Sequence, residues 1–240
     1  MTAPSPCPYL PGREERKVFA HLPMLEGAAV NDTLTQGGFR RSQNIAYRPA
    51  CEHCAACVSA RLPVGDYSFS RSERRVMARG AGLTRHIVES EATREQFELL
   101  RSYLLSRHAG GGMADMNWPD YVAMVEDTAV RTHIVEYRTR SADEGPGLLV
   151  ACALVDQLAD GLSLVYSFFD SDFASSSPGS FIILDHVIQA RLLNLPYLYL
   201  GYWVQGSEKM DYKARFSPLE VLRPDGWRLI SSRDRLRNGA

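Results

Sequence analysis

The chain is 240 residues long, with 45 % hydrophobic and 23 % charged residues and a formal net charge of −1. That length suits one large domain or two small ones with a real core, and the even charge argues against a molecule whose whole surface binds polyanions. No run of about 18 uncharged apolar residues occurs, and Met1–Lys17 has no apolar run behind a positive cluster, so a soluble cytoplasmic protein without membrane span or secretory leader is expected.

Residues 7–68 mix Pro, Gly and Cys with short apolar pieces at Val18-Phe19, Ile45–Tyr47 and Ala60–Val64, and read as a small irregular or β-rich unit. Phe69–Arg79 is charged and can begin a helix. Glu91–His108 is a clearer one: Phe97, Leu100, Tyr103, Leu104 and Leu105 fall near one face, and Gly110–Gly112 ends it. Trp118–Val125 suggests a further helix with Pro119 near its start. Val130–Arg138 alternates like a strand. Gly147–Val155 and Leu162–Phe169 are apolar strands either side of Asp156–Gly161, an antiparallel hairpin with a glycine turn. Phe181–Leu193 is a strongly apolar helix, Tyr197–Tyr202 the next strand, and Phe216–Leu222 one more. Strand, hairpin, helix and strand in that order give an α+β protein, a mixed sheet with helices packed against it. The change of character places a boundary after residue 68, dividing the chain into 1–68 and 69–240.

Five cysteines stand at 7, 51, 54, 57 and 152, three of them in Cys51-Glu-His-Cys54-Ala-Ala-Cys57. With Cys7 folded back, Cys51, Cys54 and Cys57 would supply four thiolates for zinc or an iron–sulfur cluster, with His53 able to substitute. Packed reduced thiols and redox regulation remain open on the same residues. Six arginines lie between Arg61 and Arg85 and eight basic residues between Lys209 and Arg237. Such zones suit phosphates, although most charge runs are solvated faces. Ser177-Pro-Gly-Ser180 opens an apolar helix whose free amides can meet an anion, or is a simple helix start. Tyr166-Ser-Phe-Phe-Asp170 ends a strand with a carboxylate able to hold an ammonium, against the plainer reading of Tyr166 and Phe168 as core. Gly201-Tyr202-Trp203 followed by Lys209-Met-Asp-Tyr212-Lys213 joins phenols, an indole and two ammoniums, a set suited to stacking a base and holding phosphates. If that segment is helical, Lys209 and Lys213 share a face.

Taken together, these segments resemble the bacterial branch of the arginyl-tRNA–protein transferase family. The resemblance runs through Cys7–Pro11, Gly38–Pro49 and the cysteine cluster with Val58–Arg61. It continues through Tyr166–Asp170, Gly179 with its helix, Tyr199–Trp203, and Lys209–Lys213 to Glu220, and so covers about residues 7–230 in order. Two departures stand out: Ser176-Ser-Pro-Gly179 lacks the family's arginine and leucine, and Ser171 follows Asp170 where proline is common.

The resemblance implies a Cys-rich N-terminal domain and an acetyltransferase-like (GNAT) C-terminal domain, acting as a monomer without a required cofactor. The activity implied is transfer of leucine from leucyl-tRNA to proteins beginning with Asp or Glu, which feeds N-degron turnover; arginine as donor is the alternative. In this reading Asp170 orients or deprotonates the acceptor amine beside Tyr166. Amides near Gly179 or the Tyr202 hydroxyl stabilise the oxyanion. Lys209, Lys213, Trp203, Tyr212 and Gly179 hold the tRNA end, and Arg40, Arg41 or Arg48 read the acidic acceptor. Two other functions are weighed against it. An acetyl-CoA-dependent N-acetyltransferase would need a pyrophosphate loop that is missing near Gly179. A non-catalytic metal-dependent nucleic-acid-binding protein would use the cysteines and basic zones alone.

Overall fold

A computed structural model describes residues 1–107, 113, 115–141 and 145–231 of the protein. The expected helix stop at Gly110–Gly112 lies outside the described residues. The first half of the chain gives β1 (Ser5–Pro6), β2 (Glu14–Glu15), β3 (Lys17–His21), α1 (Gly27–Gln36), β4 (Arg40–Ser42), β5 (Ile45–Pro49) and β6 (Cys57–Pro63). Next come α2 (Arg71–Gly80), β7 (Leu83–Glu89), α3 (Arg94–Arg107), α4 (Trp118–Glu126) and β8 (Thr132–Thr139). The rest is β9 (Leu149–Gln157), β10 (Gly161–Phe169), α5 (Pro178–Leu192), β11 (Tyr197–Val204), β12 (Glu220–Arg223) and β13 (Gly226–Leu229). Short 3-10 turns occupy Ser171–Ser176 and Asp211–Arg215.

An eight-stranded sheet ordered β13-β12-β6-β11-β10-β9-β8-β7 carries the core, beside a three-stranded sheet β3-β5-β4. All neighbours in the large sheet are antiparallel except β10 and β11. The expected α+β mixed sheet is present. β6 belongs to the segment expected as the N-terminal domain, yet it pairs inside the large sheet with β11 and β12.

Each face of the sheet has its own helices. β9 is buried from Leu149 to Asp156, as a strand covered on both sides must be. Its Ala153 and Val155 meet the α2/α5 layer, while Cys152 and Leu154 meet the α3/α4 layer. α5 is apolar around most of its circumference and correspondingly sunk in the core. Capping boxes start α2 at Ser70 with Glu73 and α4 at Asn117 with Asp120, each satisfying amides that the first turn leaves free. Sequence reading missed α1, whose Gly27–Gln36 has a weak apolar stripe, and β7, an edge strand exposed along much of its length.

The small sheet is tied to the large one by a buried ion pair. Arg41 donates from Nε and Nη2 to the two carboxylate oxygens of Asp156 at 2.6 and 2.7 Å, and Thr132 donates to the same carboxylate at 2.8 Å. Both charged side chains are at most 2 % exposed, so removing one partner strands a buried charge. Arg41→Met should lower the unfolding free energy by about 3–5 kcal/mol in urea titrations, and Arg41→Met with Asp156→Leu should recover most of it. A loss below about 1 kcal/mol in the single variant would mean that the pair does not hold the sheets together.

Candidate active site

β10 and β11 are parallel neighbours only at Gly161–Tyr197, Leu162–Leu198 and Ser163–Tyr199. Bulges then break both strands, between Leu164 and Tyr166 on β10 and between Tyr199 and Gly201 on β11. Beyond them β10 keeps only β9 and β11 keeps only β6. The facing edges, 164–169 and 200–204, therefore have no strand between them, and their polar backbone groups need other partners.

Two cations supply part of that need. Arg40 donates from Nη2 to the Val165 carbonyl at 3.0 Å and lies over the Tyr202 ring, 5.6 Å from its centroid. Lys213 donates from Nζ to the carbonyls of Leu200 at 2.7 Å and Tyr202 at 2.6 Å. Gly201 is what lets Arg40 in. Its φ is +70°, and a Cβ there would stand 2.2 Å from the Arg40 Cζ. Burial, and then the charge of Arg40, push the Lys213 ammonium well below the usual lysine range. Arg40 also acts electrostatically on Tyr9, Tyr202 and Tyr212, and the Tyr103 ring packs edge-on against Phe169 at the end of β10, 5.0 Å between centroids.

The expected site residues fall into different places. Asp170 ends β10, with its amide on the Val150 carbonyl and its Oδ1 accepting from the Asp172 amide at 2.9 Å. Its second carboxylate oxygen has no hydrogen-bond partner among the described residues. Tyr166 is half-buried on the same strand, and Gly179, in the first turn of α5, lies beside the Phe169 ring. The Tyr202 hydroxyl meets the carbonyls of Gly38 and Tyr47, both at 3.0 Å, so its single proton is committed to backbone. Trp203 is core, with its indole N–H on Asp211 at 3.1 Å. Lys209 is exposed and Lys213 buried; the segment forms turns rather than an α-helix, so the two lysines share no face. Arg40 and Arg41 are neighbours on β4, whose period of two sends them to opposite sides, one to the gap and one to Asp156. Arg48 is exposed, with its guanidinium on the Gly37 carbonyl. The three arginines do not form one pocket.

Of the six arginines noted between Arg61 and Arg85, four (Arg71, Arg74, Arg75 and Arg79) lie exposed on α2, which packs against α5. Arg61 and Arg85 instead pair with Glu220 and Asp185. Sequence reading missed Tyr9 and Tyr103, aromatic residues that no spacing rule links to the gap.

Cys7, Cys51, Cys54 and Cys57 line one cavity of about 360 Å³ next to Tyr202, with Arg13 donating to the Cys54 sulfur at 3.2 Å. Burial and then the other three thiols push the Cys57 thiol up to about 12. The donor set suits zinc or an iron–sulfur cluster in kind. It does not in arrangement: among the described residues no three His, Cys, Asp or Glu side chains stand as a metal-holding group.

Similarity to known proteins joins this geometry to a family. Residues 95–223 match the family model described as "Arginine-tRNA-protein transferase, C terminus", and residues 5–75 match its N-terminal counterpart. Proteins named aspartate/glutamate leucyltransferase are similar over almost the whole chain. That of Phenylobacterium zucineum is 75 % identical, covering 98 % of this chain and 91 % of its own. That of Caulobacter vibrioides is 72 % identical over 98 % and 84 %, and that of Xanthobacter autotrophicus 58 % over 96 % and 94 %. Among solved structures, FemX shares the fold with a TM-score of 0.51 at 10 % identity, over 81 % of this chain and 65 % of that one.

The buried lysine gives a pH prediction. Its proton leaves the folded chain below the ordinary 10.5, so between the folded value and 10.5 the unfolded chain binds more protons and stability rises with pH. The unfolding free energy of the wild type minus that of Lys213→Met should therefore grow as pH is raised from about 7 toward 10.5. A flat or falling difference in pH-dependent denaturation would contradict the buried site.

Proposed function

The chain belongs to the arginine-tRNA-protein transferase family, and from that premise we propose that it moves leucine from leucyl-tRNA to an N-terminal Asp or Glu, with the gap between β10 and β11 as the place of reaction. The observation that carries the choice of place is the parting of these two parallel strands around Arg40 and Lys213. The donor and acceptor follow the names of the similar proteins. The product would carry a destabilising N terminus and enter protein turnover.

The reaction is aminolysis of an ester. The acceptor nitrogen attacks the aminoacyl carbonyl, the C–N bond forms, the C–O bond to the terminal ribose breaks, and the amine proton passes to the ribose oxygen. An α-amine has a pKa of about 7.7–8.0, so a useful neutral fraction exists near pH 7, and holding amine and ester together supplies much of the rate. Asp170, at the end of the open edge, orients the amine and takes up its proton. Backbone N–H groups along the unpaired edge of β10 are the donors at hand for the developing oxyanion. Arg40 keeps that edge open and adds positive charge beside it. Lys213 braces the opposite edge from within, and the tRNA end meets Lys209, the amides at the start of α5 and the arginines of α2. Segments 1–68 and 69–240 work as one unit in this reading, because β6 runs from the thiol-lined cavity into the sheet as the partner of β11.

Radiolabelled leucine and arginine, each on its tRNA, should be offered with peptides beginning with Asp, Glu, Lys or Ala. Leucine incorporation on the Asp and Glu peptides alone is expected; arginine incorporation in its place would overturn the donor. Asp170→Asn should lower turnover by about a hundredfold or more with little change in tRNA affinity, and unchanged turnover would remove Asp170 from the chemistry.

A further inference from the structure

A second cavity, of about 220 Å³, opens on the other side of the Asp170 backbone. Its apolar lining is Leu83, Val150, Ala151, Phe173, Pro178 and Phe181, contributed by β7, β9, the 3-10 turn and the entry to α5. Val150 and Ala151 fall together on this side because a bulge interrupts the β8/β9 pairing opposite them. The cavity and the reaction site share backbone: the Asp170 amide donates to the Val150 carbonyl at 2.9 Å, and the Phe173 amide donates to the Asp170 carbonyl at 3.2 Å. A dry cavity of about 150 Å³ lined by such side chains takes a benzene ring, so this one has room for a branched four-carbon side chain. Among the described residues no carboxylate lines it, and Arg79 does.

We propose that this cavity receives the side chain of the donor amino acid and that its apolar walls select leucine over arginine. The proposal rests on the leucyl-transfer reading above. Leucine's isobutyl group fills the space between Phe173 and Val150 while the ester carbonyl stays at the end of β10 beside Asp170. Binding of that group is the step that discriminates donors, since all carry the same terminal adenosine. An arginyl donor would have to bury its guanidinium without a carboxylate partner among the described lining residues, which is strongly unfavourable.

The test is kcat/KM for one leucine-accepting tRNA charged in turn with leucine, alanine or phenylalanine, using the full chain and an Asp-initiated peptide. Phe173→Trp, which fills the cavity, should reduce leucine transfer by about tenfold or more while leaving alanine transfer within about twofold. Phe173→Ala, which enlarges it, should raise phenylalanine relative to leucine by about tenfold or more. Ala151→Val is a second filling variant, expected to shift the ratio in the same direction as Phe173→Trp. Equal effects on all three donors, or unshifted ratios in folded variants, would overturn the proposal. The wild-type chain separates the two failures. Arginine transferred in place of leucine sinks the leucyl reading before any variant is made, whereas leucine transfer with unshifted variant ratios sinks the pocket alone.

Discussion

Two neighbouring parallel strands cannot part inside a sheet unless something else meets the backbone groups they abandon. Here β10 and β11 share three residue pairs and then separate, each turned aside by a bulge and each held on its outer side by an antiparallel partner. Arg40 reaches one abandoned edge and Lys213 the other. The two cations stand close enough for the charge of Arg40 to depress the lysine further than burial alone. The outcome is a slot between the two strand edges with the charge of Arg40 beside it, which the proposed function assigns to an ester whose carbonyl oxygen becomes negative during reaction.

The remainder of the fold keeps that slot in place. Arg40 comes from β4 of the small sheet, whose other neighbouring arginine is fastened to Asp156 at the end of β9. The small sheet thereby delivers one side chain to the slot and anchors itself with the next. Tyr202 reinforces the same seam from the opposite wall, with its hydroxyl between the Gly38 and Tyr47 carbonyls. Lys213 arrives from a 3-10 turn that packs under β11. Cys57 begins β6 opposite Val204, so the strand that pairs with β11 starts at the thiol-lined cavity.

How much of this was legible in the sequence depends on how local each signal is. The β9–β10 hairpin and α5 announce themselves by long apolar runs bounded by turn residues, and they appear close to where periodicity places them. β6 also reads as extended in isolation. Its place between β11 and β12 is decided by pairing with residues more than a hundred positions away, which no local pattern encodes. A lysine in a polar segment is expected at the surface; Lys213 is buried because bulged carbonyls wait for it, and that is visible only once the strands are placed. The separation of Arg40 from Arg41 needed only the period of a strand. Asp170 and Gly179 lie at the end of β10 and the entry to α5, where the strand and helix patterns of the sequence place them.

The most direct test of the account is a structure of the chain with a non-hydrolysable leucyl-adenosine amide. The account predicts the amide carbonyl between residues 164–169 of β10 and 200–204 of β11, with Asp170 beside the position of the incoming amine. An analogue seated elsewhere, for instance in the thiol-lined cavity with the parted strands left open, would contradict the claim that the gap is where transfer takes place.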